Sequence, residues 1–370
     1  MLAASRGRDG TPPDRCAANV NLVAEPCDDS LDDRSAATLV AQSATLPGYV
    51  LLDSEDVSLG GRAAVRTLFT YPLDRFQIVV DQWLIVQGGW AWCLSGGTDT
   101  IGLAQDEPVL EAIATTLELP PGGPAGAGIY GPRAGDVGRA LEAGTDLAAR
   151  ALAGPAGALL ALADDAAGLS VPAARTTAAR DALAESGGLA ADELAALLGE
   201  LLGPVRDHAC QLELQVEDEL VLGWIAGDAA AVLAPEGADL GVLERMPTAA
   251  LPVALVGHIP ATPAAPERPG EPLELPPGVL ANVLATRALP AAIVPGPARD
   301  ALLGLTRGLR AWWRLEIGDR HRESPARHVE GLHADDGPWR LLAHDDLVRL
   351  EPVRPRDVFR TLCTELLADR

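Results

Sequence analysis

The stretch FQIVVDQWLIVQGGWAWCLSG, residues 76 to 96, constrains the fold more than any other part of the chain. It joins two apolar runs through Gly88-Gly89, and a two-residue Gly-Gly loop is a preferred hairpin connection because both positions need positive φ to match the strand twist. A turn that short fixes the register: Trp83 faces Leu94, Ile85 faces Trp92 and Gln87 faces Trp90. Trp83, Trp90 and Trp92 then share one face, while Leu84, Val86, Ala91 and Cys93 share the other with Ile78 and Val80. Both faces are apolar, so both need cover. The pattern suits a sheet with layers on both sides, or one side covered by helices and the other by a partner.

The neighbouring sequence extends this sheet. NVNLVAE (19 to 25) reads as a strand and SAATLVAQSATL (35 to 46) as a helix. YVLLDSEDVSLGG and RAAVRTLFTYPL precede the hairpin as two further strands, and DEPVLEAIATTLEL (106 to 119) closes the unit as a helix. The segment 120 to 136 is dense in Pro and Gly, sustains neither period, and reads as an interdomain linker. The expected domains are therefore 1 to 119 and 137 to 370, two units each long enough for its own core. The second unit reads as helices through residue 203, two strands (CQLELQVE and LVLGWIAGDAAAVLAP), a helix PTAALPVALVGHI, a Pro-rich connector, and two more helices. Four strands (AWWRLEI, ARHVEGLH, PWRLLAH, VRLEPV) and a terminal helix opened near Pro355 complete it. The expected class is α+β.

Composition narrows the function by exclusion. The chain holds no lysine, and its 29 arginines against 52 acids leave a net charge of -23, which makes nucleic acid a poor partner. That charge also argues against base stacking on the tryptophan face, which reads as cross-strand packing. Residues 241 to 370, with 16 arginines and 17 acids, are the only near-neutral third.

Five cysteines without CxxC spacing fit neither a zinc ribbon nor a disulfide framework. The GxGxxG at Gly126 to Gly131 follows a Pro/Gly run rather than a strand, so it lacks the context of a dinucleotide site. His321, His328, His333 and His344 with Asp345 and Asp346 have no compact metal spacing, and the first two lie in a charged stretch with Arg320, Arg322 and Arg327 that would repel a cation. The acidic runs Asp28-Asp29, Asp32-Asp33 and Glu217-Asp218-Glu219 read as solvated turns rather than calcium loops. No nucleophile sits in an activating context. The expectation is a protein with no catalytic residue, cofactor or metal. The start MLAASRGRDG has no apolar core of a signal peptide and no later run is long enough to span a bilayer, so membrane insertion is not expected and the cytoplasm is the expected address.

Two resemblances give these readings a direction. The progression ANVNLVAEP, LPGYVLLDSEDVSLGGRAAVRTLFTY, QWLIVQGGWAWCLSG and a closing helix, residues 18 to 119, resembles the PsbP-like sandwich domains of the LpqN and DcrB kind. That resemblance implies an α/β/α sandwich with an antiparallel sheet; the Pro-Gly-Trp opening strand and the lipoprotein signal of the LpqN type are absent, so an envelope location is not carried over. Residues 150 to 368 resemble the EspG family of type VII secretion chaperones in a succession of quoted segments. These are LSVPAARTTAARDALAESGGLAADELAALLGELLGP, LELQV with AGDAAAVLAPEG, MPTAALPVALVGHIP, and LLAHDDLVRLEPVRPRDVFRTLCTELL. This second resemblance implies a non-catalytic cytosolic α+β protein that binds a helical secreted substrate of the PPE type or a related one.

A binder of helical clients needs exposed apolar surface with a polar rim, and aromatic residues and arginine are enriched at such interfaces. The candidate protein-binding residues are Trp224, Arg307, Arg310, Trp312, Trp313 and Arg314. The alternative is a PsbP-like structural module that holds a small apolar ligand in a closed pocket near the tryptophans.

Overall fold

The computed structural model describes residues 2–5, 16, 18–74, 76–120, 150–260, 271–289, 297–319, 326–344 and 346–367. Helices and antiparallel sheets make it an α+β protein. The first sheet is built from β1 (Leu2–Ser5), β2 (Asn19–Pro26), β3 (Val50–Leu59), β4 (Arg62–Leu73), β5 (Phe76–Gln87) and β6 (Trp90–Asp99), in the order β1-β2-β6-β5-β4-β3. Helix α1 (Leu31–Thr45) follows β2 and helix α2 (Leu103–Thr115) follows β6.

The register expected from the Gly-Gly turn is the one found: Trp83 opposes Leu94, Ile85 opposes Trp92 and Gln87 opposes Trp90. Gly88 and Gly89 have φ of 62° and 76°. Helix α2 covers the tryptophan face, where Leu110 and Ala114 pack with Trp83 and Trp92. The approach is close, since a Cβ on Gly96 would lie 2.8 Å from Leu110. Helix α1 covers the other face through Leu31 against Leu84 and Ala91, and Gln42 donates to Gln82 Oε1 at 3.1 Å. Trp83 and Trp92 are therefore core, and Trp90 is partly buried beside them.

The second sheet has ten strands whose order mirrors about its centre. The elements after β7 (Arg150–Pro155) are α3 (Ala156–Ala166), α4 (Ala173–Gly187), α5 (Ala191–Leu201), α6 (Gly203–Arg206), β8 (Cys210–Val216), β9 (Glu219–Ala226), β10 (Ala229–Pro235), β11 (Leu240–Pro247) and α7 (Leu251–Val256). The same plan recurs in β12 (Leu273–Leu275), α8 (Pro277–Thr286), α9 (Pro297–Gly308), β13 (Ala311–Asp319), β14 (Arg327–Ala334), β15 (Gly337–His344), β16 (Leu347–Pro352) and α10 (Pro355–Leu367). From the central pair outward, the sheet runs β8, β9, β10, β11, β7 on one side and β13, β14, β15, β16, β12 on the other. Each half is thus an edge strand, a set of helices, a four-strand meander and a closing helix.

The two sheets share a helical layer. On one face of the second sheet, Leu214, Val221, Ile225, Trp313 and Leu315 pack against Leu251 and Leu255 of α7 and Val358 and Leu362 of α10. The far side of the same helices meets the first sheet, where Phe359 and Cys363 pack with Leu52, Leu68, Val79 and Leu103.

Charge crosses this seam as well. Arg356 donates to Asp53 at 2.9 Å and lies 3.1 Å from Glu55, while Arg66 grips Asp81 at 2.9 and 2.5 Å beneath Glu107. All six of these side chains are buried. Buried charges of this kind are tolerated only when paired and hydrogen-bonded.

Several expectations need correction. The run LVLGWIAGDAAAVLAP is two strands, β9 and β10, turning at Gly227, whose φ is 55°. Strands β1, β7, β11 and β12 were not expected; β1, β7 and β12 exist because they pair with β2, β11 and β16. Asp32 and Asp33 are not a solvated turn. They form the first turn of α1, where the Asp33 N–H donates to the Ser30 hydroxyl at 3.1 Å. The linker expected at 120 to 136 and the glycine motif within it fall, apart from Pro120, outside the described residues, as do His321 and Asp345.

Candidate functional site

Among the described residues, the second face of the ten-stranded sheet is covered at both ends and open in the middle. At one end α3 to α6 bury Leu152, Trp224, Leu233 and Leu243; at the other α8 and α9 bury Leu275, Leu332, Trp339 and Leu350. Among the described residues no helix packs on the outward face of β8 and β13 between them.

Alternation explains why these strands are polar there. Leu212, Leu214 and Val216 of β8 and Trp313, Leu315 and Ile317 of β13 turn inward to the shared helical layer. Their neighbours Gln211, Glu213, Gln215, Arg314 and Glu316 turn outward.

The register lays these side chains out in rows. One row runs Leu222, Glu213, Glu316, His328 across β9, β8, β13 and β14; the next runs Leu220, Gln215, Arg314, Glu330, Leu341 and continues onto β15. Leu220 is 49% exposed. Arg314 makes ion pairs with both Glu316 and Glu330, the latter at 3.3 Å. With strands about 4.8 Å apart, the floor from β9 to β14 is about 14 Å wide. One α-helix with its side chains is about 10–12 Å across.

The six expected binding residues do not gather in one place. Trp312 and Arg314 point to the open face, with Trp312 partly buried against the helices at its margin. Trp313, one residue along the strand, faces the opposite way and is 2% exposed, and Trp224 is equally buried beneath α3 to α6. Both are core residues. Arg307 is exposed on α9, and Arg310 is exposed and pairs with Asp335 at 2.5 Å.

Glu217, expected to be a solvated turn residue, has a structural task. With φ of 52° it turns β8 into β9, and its carboxylate accepts the Trp312 N–H at 2.7 Å and pairs with Arg287 at 2.6 Å. It holds the first half of the sheet to the second. The sequence signal for this was Glu217 at a two-residue turn, but its partners are set only by the strand order.

A cleft of about 710 Å³ lies elsewhere, at the edge of the first sheet. Val50, Leu51, Leu52, Val256, Ile259 and Pro355 give it apolar walls, and Arg310, His333 and Asp335 give it a polar end. Burial is the leading cause that keeps the His333 imidazole below its ordinary pKa, against the opposing pull of Asp335 and Asp336. No helix among the described residues is long and apolar enough to cross a membrane.

No family model matches the sequence, and no curated protein matches it. Among solved structures, the chain is similar to PA94 of Pseudomonas aeruginosa, of unknown function, with 20% identity over 32% of this chain and 83% of that one and a TM-score of 0.30. It is similar to EspG5 of Mycobacterium tuberculosis, a type VII secretion system chaperone solved with the PE25-PPE41 dimer, with 10% identity over 59% of this chain and 96% of that one and a TM-score of 0.38. It is also similar to LpqN of Mycobacterium tuberculosis, involved in cell envelope biogenesis, with 14% identity over 30% of this chain and 85% of that one and a TM-score of 0.20. Likeness at these values is weak and partial.

Proposed function

We propose that the chain is a non-catalytic adaptor or chaperone that binds a helical partner protein on the open strip of its second sheet. Its place of action is the cytoplasm, and its client is a PPE-type or related substrate of type VII secretion. The observation that carries this reading is the strip itself. A sheet face needs a layer over it, and here, among the described residues, two helical layers stop short on either side of β8 and β13, leaving a floor about one helix wide. The floor lies in the middle of the sheet, where no strand edge is free, so a partner engages it through side chains rather than by adding a strand. The resemblance of residues 150 to 368 to the EspG chaperones supplies the class of client.

The test is co-expression with the helical secreted proteins encoded beside its gene, followed by purification and light scattering. A defined complex with one of them is the expected result, and retention of none removes the reading. A second reading, capture of a small apolar molecule, draws on the 710 Å³ cleft at the edge of the first sheet. Saturable binding of a fluorescent fatty acid favours it, and no binding eliminates it.

A further inference from the structure

We infer that the partner helix presents lysine or arginine side chains to the open strip. The inference rests on the reading above and specifies the chemistry of the client's docking face.

The strip breaks a rule of sheet design. Glu213 and Glu316 are directly opposed across β8 and β13, on the outward face. Like charges placed so are destabilising, and opposed side chains in an antiparallel pair sit only about 5 Å apart. Arg314 relieves one of the two: it pairs with Glu316 and Glu330. Glu213 is left with no hydrogen bond or ion pair to its side chain among the described residues, and it is exposed. The strip therefore carries three carboxylates, Glu213, Glu316 and Glu330, against one guanidinium.

The margins matter too. Leu220 and Leu222 of β9 line one side of the strip. A helix lying along β8 and β13 passes over the opposed pair Glu213 and Glu316, with Glu330 of β14 on one side and the leucines of β9 on the other. The complementary surface is a line of basic residues at i, i+4 and i+7, one helical face, with an apolar residue beside it. A partner with acidic residues on that line would be repelled, so the strip selects among helices as well as attracting one.

The test uses two synthetic helical peptides of equal length that differ only along one face, lysine at i, i+4, i+7 and i+11 in one and glutamate in the other. Each is titrated by fluorescence anisotropy against three full-length proteins: wild type, Glu213→Arg/Glu316→Arg, and the control Asp181→Arg/Glu185→Arg, which makes the same charge change on exposed α4. Circular dichroism checks that each is folded.

Wild type and control should bind the lysine peptide at least tenfold more tightly than the glutamate peptide, with affinity falling as salt rises. The strip variant should lose that preference or reverse it. Equal loss in control and strip variants, an unchanged preference in the strip variant, or no binding of the lysine peptide by wild type overturns the inference. If a helical client still co-purifies in any of those cases, the binding role stands and only the basic docking face falls.

Discussion

The molecule places arginine beside carboxylates in two settings, and the difference between them separates structure from function. At the seam, Arg66 and Arg356 lie among Asp53, Glu55, Asp81 and Glu107, all buried, and Arg66 also sits 5.0 Å above the Trp83 ring. Burial works against the Arg66 charge, but its hydrogen bonds to Asp81 and the nearby charges of Asp81, Glu111 and Glu107 prevail, so its pKa is raised. On the open strip, Arg314 lies between Glu316 and Glu330 with 43% of its side chain exposed. The same chemistry is committed to folding in the first place and left available for a partner in the second. A charge that is fully enclosed and paired has no capacity for a ligand; a charge at the surface contributes little to stability and can be redirected.

Changes at the two sites should separate accordingly. Arg356→Met strands the buried Asp53 and takes one of Glu55's cationic partners, leaving it Arg354, and should cost about 3–5 kcal/mol, read as a lowered urea midpoint. Gly96→Val drives a side chain into Leu110 on the tryptophan face and should cost about 1–3 kcal/mol by the same measurement. Arg314→Ala should change stability by less than about 1 kcal/mol yet tighten the binding of a lysine-bearing helix, because it frees Glu316 and Glu330. A large loss of stability from Arg314→Ala would erase the distinction between the two regions.

The smallest effect concerns protons at the seam. Burial raises the Glu107 pKa above 4.5 despite the opposing charge of Arg360, so between 4.5 and that raised value the folded state binds the proton more readily than the unfolded chain. This group's contribution to stability therefore grows as pH falls through that window, and it disfavours folding above it. Glu107→Gln should remove this component, seen as a shallower rise, or a steeper fall, of the urea midpoint of wild type relative to the variant as pH is raised from 4 to 7. An identical pH profile for the two would show that Glu107 titrates as an ordinary carboxylate.

How much of this was legible in the sequence depended on how local the cause was. The hairpin at Gly88-Gly89 could be read to the residue because a two-residue turn and alternation decide it without help from elsewhere. Strand β7, RALAGP, was not legible. Its Ala- and Gly-rich sequence has little strand preference, and pairing with β11 makes it a strand. The adjacent Trp312 and Trp313 necessarily face opposite ways, but which one is covered follows from where the helices lie.

The open strip was hidden for the same reason. Gln211, Glu213 and Gln215 show that one face of β8 is polar, whereas the absence of a covering layer among the described residues depends on β8 and β13 being the central pair. The seam is the extreme case, with Arg356 meeting Asp53 across 303 residues of chain.

The central claim is that the outward face of β8 and β13 receives a helical client. A photo-cross-linking amino acid at Gln215, on that face, tests it against the same group at Glu274, exposed on the opposite face of the sheet at β12. With a co-purified client, irradiation should join the client to position 215 and leave position 274 unreacted. Cross-linking at 274 with none at 215 would contradict the assignment.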